Sequence, residues 1–321
     1  MNVVEKLYTF IIFLSVIIGI SIGQVERIQM NAGSFISPLL VAMLYITFLQ
    51  IPIGDIRNAF KNIKFTYISV TINFIWTPFL AWLLASLFLG DQPALYIGFI
   101  MLMVTPCTDW YLIFTGIAKG NTALSTAILP LNLILQVVLL PIYLLLFGGT
   151  KGIIDLAFFG ESILIVLFVP FALAIFTKGF LRNKQQFREK LISNLSVLPI
   201  IFLSTAIIAM FASQGQLLLN NLELMWQITV PIILFFAFNF IITQKIGQWM
   251  KFAYPDRTSL SLTTLARNSP IALAIALTAF PEQPLIALTL VIGPLLELPI
   301  LASITQHILW ISKGKNLNNH L

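Results

Sequence analysis

Apolar runs long enough to cross a bilayer recur along the whole chain, separated by short polar or basic segments. A helix needs about 20 apolar residues to traverse the roughly 30 Å hydrocarbon core. Ten stretches approach that length: 8–24, 36–53, 66–89, 94–117, 122–147, 156–177, 193–212, 225–244, 259–280 and 285–310. The pattern predicts an all-α integral membrane protein with ten transmembrane helices. The first stretch ends at Ser21-Ile22-Gly23-Gln24 without the small-residue cleavage pattern of a signal peptide, which predicts a retained helix. Two stretches are interrupted near their middles, the fourth by Thr105-Pro106-Cys107-Thr108-Asp109 and the ninth by Ala266-Arg267-Asn268-Ser269-Pro270. Hydrocarbon offers no water to a freed N–H or C=O, so such a break needs surrounding protein or a hydrated cavity.

The breaks belong to a longer pattern. Pro106 and Pro130 are 24 residues apart, as are Pro270 and Pro294, with a shift of 164 between the pairs. Asn73-Phe74-Ile75 returns as Asn239-Phe240-Ile241 after 166 residues. Together these predict that helices 6–10 repeat helices 1–5, dividing the chain into 1–150 and 151–321 near the Gly148-Gly149-Thr150-Lys151-Gly152 turn. Five is odd, so the second copy enters the membrane from the opposite side. A 5+5 inverted repeat with equivalent breaks in helices four and nine is the build of many secondary transporters, and paired breaks mark the binding site.

Charge adds the orientation. With 59% hydrophobic and 9% charged residues and a mean hydropathy of +0.96, the chain lies far from the soluble norm of about 25% charged. If both termini are cytoplasmic, fifteen of the eighteen Lys and Arg residues fall on that side, Arg27 and Lys151 fall outside, and Arg267 lies within the ninth span. This positive-inside asymmetry predicts a multi-pass protein of the cell membrane with both termini cytoplasmic. It also assigns the pI near 9.5 to topology, excluding nucleic acid as the partner. The basic run from Arg182 to Lys190 reads as a loop against anionic headgroups. Trp226, Trp249 and Trp310 lie near span ends, as interfacial anchors do. A single Cys excludes an intramolecular disulfide, and no Cys or His spacing suggests a metal site or cofactor.

Candidate chemistry concentrates at the breaks. Pro106 removes a donor and frees carbonyls around Met101 to Met103; with the Thr105 and Thr108 hydroxyls these can hold a cation or a polar solute. Cys107 is either a soft sulfur ligand or a small buried hydrophobe. Asp109 carries a carboxylate toward the bilayer centre at about 3 kcal/mol on insertion scales, so it needs a partner or a proton. Arg267 is the economical partner, and a substrate that disturbs the pair would drive proton uptake; the competing reading has one or both side chains snorkel to an interface. Asn268 and Ser269 suit the N-cap of a half-helix with Pro270 at its first turn, and with Thr263 and Thr264 they can bind an anionic or strongly polar solute. Glu297, between Pro294 and Pro299, is a flanking coupling position, as are Asn132 and Gln136; interhelical hydrogen bonding is the alternative role. Asp109 is the one Asp at depth, no His is central, and no phosphate-cradling G-x-x-x-x-G-K loop occurs. Aspartyl-protease, Ser/His-hydrolase and ATPase chemistry are thereby excluded, and the chain reads as no enzyme.

Two stretches carry a family resemblance: Val104-Thr105-Pro106-Cys107-Thr108-Asp109-Trp110 through Gly116-Ile117-Ala118-Lys119-Gly120-Asn121, and Ala266-Arg267-Asn268-Ser269-Pro270 through Leu273-Ala274-Ile275-Ala276. There the chain resembles the bile acid:sodium symporter superfamily, and within it more closely the arsenical-resistance (arsenite permease) branch. The resemblance implies a core of helices 3–5 and 8–10, with helices four and nine crossing at their breaks, that moves against a panel of helices 1, 2, 6 and 7. It also implies a functional role for Cys107, because trivalent arsenic is thiophilic and a single thiolate can hold it reversibly. The family's usual carboxylate just after the ninth-helix Asn is absent; Ile271 and Ala272 stand there. That departure weighs against sodium coupling and leaves Asp109 to supply the charge. The expectation is a secondary transporter exporting arsenite or a related trivalent metalloid in exchange for protons. The alternative is a sodium-coupled carrier of organic anions in which Cys107 is incidental.

Overall fold

The computed structural model describes the chain except residues 1–2, 51–52, 108–109, 149–160, 162–167, 182–184, 196, 221, 281–282 and 319–321. Among the described residues it is helical throughout and forms no strand. Helices α1 (Val3–Ile22) and α2 (Glu26–Gln50) come first. A 3₁₀ segment, Ile53–Asn62, then leads into α3 (Ile63–Thr71), which passes through one π turn (Ile72–Trp76) into α4 (Thr77–Phe88). After these run α5 (Pro93–Met103), α6 (Trp110–Ile117), α7 (Thr122–Gly148), α8 (Val169–Phe180), α9 (Gln185–Leu195) and α10 (Leu198–Asn220). The chain closes with α11 (Leu222–Trp249), α12 (Tyr254–Leu265), α13 (Ser269–Ala279) and α14 (Pro284–Asn318).

Among the described residues, six helical stretches are long and apolar enough to cross a membrane: Glu26–Gln50, Phe60–Phe88, Thr122–Gly148, Lys190–Ser213, Trp226–Trp249 and Pro284–Ile311. They coincide with the second, third, fifth, seventh, eighth and tenth predicted spans. The fourth and ninth spans are each two half-helices, α5 with α6 and α12 with α13. Half of the sixth span falls outside the described residues, and α8 forms its second half; most of the expected turn at Gly148 to Gly152 falls outside as well. Pro78, Pro93, Pro170 and Pro255 occupy first turns, where a missing N–H leaves no bond unmade. Tyr67, Ile75, Leu87, Phe176 and Phe180 are exposed, as a lipid-facing surface requires. Trp226 and Trp249, at the two ends of one span, are exposed as well.

The helices form two compact units, one of residues 1–51, 151–226 and 270–295 and the other of residues 52–150, 227–269 and 296–321. In the first unit α10 packs along both α1 and α2, and α2 also meets α8. Gly19 and Gly23 allow the close approach of α1. A Cβ at Gly19 would lie 2.6 Å from Phe211 Cβ, and one at Gly23 would collide with the Ala212 carbonyl. Small residues one turn apart are how apolar helices bring their backbones together without a hydrophobic driving force. Lys178 Nζ donates to Phe48 O at 2.7 Å, tying α8 to α2.

The second unit holds both breaks. Phe65, Ile68, Ile72, Ile128 and Leu260 form an apolar cluster joining α3, α7 and α12. On α3, its π turn and α4, Ser69, Asn73 and Thr77 follow at one-turn spacing and are fully buried. The turn after α6 anchors the start of α12. Lys119 adopts φ 56°, Tyr254 OH donates to Ala118 O at 2.9 Å, and Asn121 Nδ2 donates to Asp256 Oδ1 at 2.8 Å. Gly120 is favoured by contact: a Cβ there would lie 2.7 Å from Thr115 Cγ2. The ends of α6 and α12 are thereby held in register, and this positions the two breaks.

Candidate functional site

The fourth span breaks because Pro106 has no N–H to continue α5 and its ring obstructs the preceding turn. The last helical bond is Val104 N–H to Ile100 O, 2.9 Å. Thr105 Oγ1 folds back to donate to Met101 O (2.9 Å) and Leu102 O (3.0 Å), capping two of the freed carbonyls. The ninth span breaks at Ala266, whose backbone is extended (φ −68°, ψ 137°). The two extended segments then pair with each other. Cys107 N–H donates to Ala266 O at 2.9 Å, Asn268 N–H donates to Thr105 O at 2.7 Å, and Pro106 and Arg267 face one another in an antiparallel bridge. Each break satisfies backbone groups of the other, which is how irregular chain persists where lipid cannot supply partners.

Arg267 sits at this junction and is only 1% exposed. Burying an unpartnered guanidinium is prohibitive, and its donors are engaged. Nε donates to Leu265 O at 2.9 Å, Nη1 to Met103 O at 2.8 Å, and Nη2 to Asn73 Oδ1 at 3.2 Å and to Thr264 O. Asn73 is oriented in turn by its own Nδ2, which donates to Thr263 O at 3.3 Å. The Phe235 ring covers one side, 5.5 Å from Cζ. Met103 ends α5, and Thr264 and Leu265 end α12, so the charge rests on two helix C-termini whose carbonyls carry partial negative charge. The Arg267 backbone N–H donates to Glu297 Oε1 at 2.8 Å, and Glu297 is itself buried.

Of the residues anticipated from sequence, Thr105, Pro106, Cys107, Arg267, Asn268 and Glu297 come together here. Cys107 is buried, and its Sγ accepts the Trp110 N–H at 3.3 Å, from the first residue of α6. Cys107 and Glu297 both neighbour Arg267 along the backbone: the Cys107 N–H donates to Ala266 O, and Glu297 accepts the Arg267 N–H. Asn268 immediately precedes α13, Ser269 is its first residue and Pro270 its second; Asn268 and Ser269 are buried. Thr108 and Asp109 lie outside the described residues, and with them the expected Asp109–Arg267 pair. The Thr263 and Thr264 hydroxyls bond back to carbonyls of their own helix, at 2.8 Å to Ser259 O and 2.7 Å to Leu260 O. Asn132 and Gln136 are buried on α7, and their amides make no hydrogen bond among the described residues. Asn73 was visible in the sequence as a marker of the repeat; its depth within an apolar span was the signal of a further role. Nothing local pointed to Phe235.

Helical breaks that meet at depth around a buried cation define a membrane transporter of the broken-helix kind. The sequence profile of the Sodium Bile acid symporter family matches residues 37–221, and the chain belongs to that family; it is a multi-pass membrane transporter. It is 25% identical to the uncharacterized transporter slr0944 of Synechocystis over 338 aligned positions, covering 95% of this chain and 88% of that one. It is 22% identical to the arsenical-resistance protein Acr3 of Corynebacterium glutamicum over 298 positions, covering 88% of this chain and 80% of the relative. With the Acr3 of Alkaliphilus metalliredigens it shares 21% identity over 330 positions, 94% and 91% of the two chains.

Proposed function

We propose that this transporter exports arsenite, or a related trivalent metalloid, across the cell membrane in exchange for protons. The observation that carries the reading is the placement of Cys107: its sulfur lies in the helix break and receives the Trp110 N–H, while its own N–H bonds Ala266 O, next to Arg267. A sulfur in such surroundings is poised as a nucleophile and soft ligand. With arsenous acid, one As–S bond forms as one As–O bond breaks, and the departing hydroxyl leaves with the thiol proton as water. Hydrolysis reverses the step and releases the cargo, because one sulfur, unlike three, gives a labile link. Thr105, Thr108, Asn268 and Ser269 supply hydroxyl and amide groups to the remaining arsenic oxygens, and Glu297 and Asp109 are the carboxyls that exchange protons. The likeness to two proteins named for arsenical resistance supports the same cargo.

In this reading the chain forms ten helices as an inverted repeat of 1–150 and 151–321, with both termini in the cytoplasm. Helices 3–5 and 8–10 move against helices 1, 2, 6 and 7 to alternate access. The test is arsenite accumulation by everted membrane vesicles under an imposed pH gradient or an imposed sodium gradient. Wild-type protein should accumulate arsenite with the pH gradient, and Cys107→Ser should reduce that at least about tenfold, the scale of one lost transition-state or binding interaction. Undiminished arsenite transport by Cys107→Ser would remove the thiol mechanism. Sodium-driven uptake of an organic anion, indifferent to Cys107→Ser, would establish the sodium-coupled carrier suggested by the family's name.

A further inference from the structure

The oxygens around Arg267 have a second meaning. Helix breaks at membrane depth leave carbonyls at half-helix C-termini, and in transporters of this build such carbonyls coordinate the coupling cation. Here the Met103 carbonyl from the end of α5, the Thr264 and Leu265 carbonyls from the end of α12, and the Asn73 side-chain oxygen converge on one point. That donor set, three backbone carbonyls and an amide oxygen, with Glu297 on the Arg267 backbone N–H, is of the hard, all-oxygen kind that suits an alkali cation. The point is occupied by the guanidinium, whose fixed fork of N–H donors meets all four oxygens.

We propose that Arg267 is a tethered cation that permanently fills the cation site formed by the two breaks, so that this member of the sodium symporter family runs without sodium there. The inference rests on the transport reading and specifies its coupling ion. A metal ion brought within about 4 Å of the guanidinium, at an effective dielectric near 20, would bind on the order of a thousandfold more weakly than in its absence. The oxygens it would need already accept from the arginine. A covalently attached cation cannot leave with the cargo, so its charge stays in the membrane through the cycle, and the driving ion must act elsewhere, as a proton on a carboxyl does.

The test reads cation binding and stability of the full-length protein in detergent, not arsenite flux, so loss of the arsenite reading would leave its outcome intact. Wild-type protein should melt at the same temperature in sodium and choline chloride and bind no radiolabelled sodium. Arg267→Ala should become cation-dependent, its folded-to-unfolded ratio rising about tenfold at a sodium or sub-denaturing guanidinium concentration ten times the dissociation constant; choline should have no effect. Arg267→Lys, which keeps a tethered charge, should remain unresponsive to sodium. Should Arg267→Ala purify only as aggregate, its folded yield should be restored by solubilisation in sodium or guanidinium and not in choline. Stoichiometric sodium binding to the wild type overturns the proposal. So does an Arg267→Ala protein, folded or not, that neither cation improves.

Discussion

Glu297 offers the most direct measure of how the breaks are held. Its Oε1 accepts the Arg267 backbone N–H at 2.8 Å, and both residues are buried. Glu297→Ala leaves that N–H without a partner, and a hydrogen bond to a charged acceptor contributes about 1.5–3 kcal/mol. The expected loss is therefore about 1.5–3 kcal/mol, on the order of ten- to a hundredfold in the folded-to-unfolded ratio. Glu297→Gln keeps an oxygen where the N–H points and removes only the charge, so it should lose less, about 0.5–1.5 kcal/mol. Reversible unfolding in mixed detergent micelles, followed by helix content, ranks the three proteins. An alanine variant within about 1 kcal/mol of wild type would refute the view that this carboxylate braces the junction. The glutamine variant also bears on coupling: its arsenite transport in everted vesicles should lose dependence on the pH gradient.

Two further substitutions test the packing and the capping. Gly19→Val forces a side chain into the Phe211 and Ile208 contact between α1 and α10 and should destabilise by about 1–3 kcal/mol through overpacking. Gly33→Val, whose Cβ would lie 4.0 Å from Ser213 Cβ, should be close to neutral in the same melting experiment. Thr105→Val is nearly isosteric but removes the hydroxyl that donates to Met101 O and Leu102 O. It should lower stability by about 1 kcal/mol; an unchanged melting temperature would mean that other groups cap those carbonyls.

Much of this protein was legible along the chain because hydropathy and proline act locally. The six long helices lie where runs of apolar residues required them, and the fourth and ninth spans break at Pro106 and at Ala266 to Asn268. The reason is a backbone donor that proline lacks or a polar cluster that resists continuous helix. The candidate site was legible in part: Cys107, Arg267, Asn268 and Glu297 stood out as polar groups at a depth where each needs an explanation. Their partners did not. Arg267 was expected to pair with Asp109, which lies outside the described residues; the bonds seen reach carbonyls at Met103, Thr264 and Leu265 and Asn73, 194 residues away in sequence. The Gly19 and Gly23 contact with α10 was likewise invisible, because a small residue in an apolar helix looks the same whether or not another backbone lies against it. Sequence settles which segments are helical and where they must stop, since those depend on bonds and solvation within about 20 residues. Which carbonyl meets which cation depends on how segments far apart in the chain are packed, and only the folded backbone brings the two broken ends face to face.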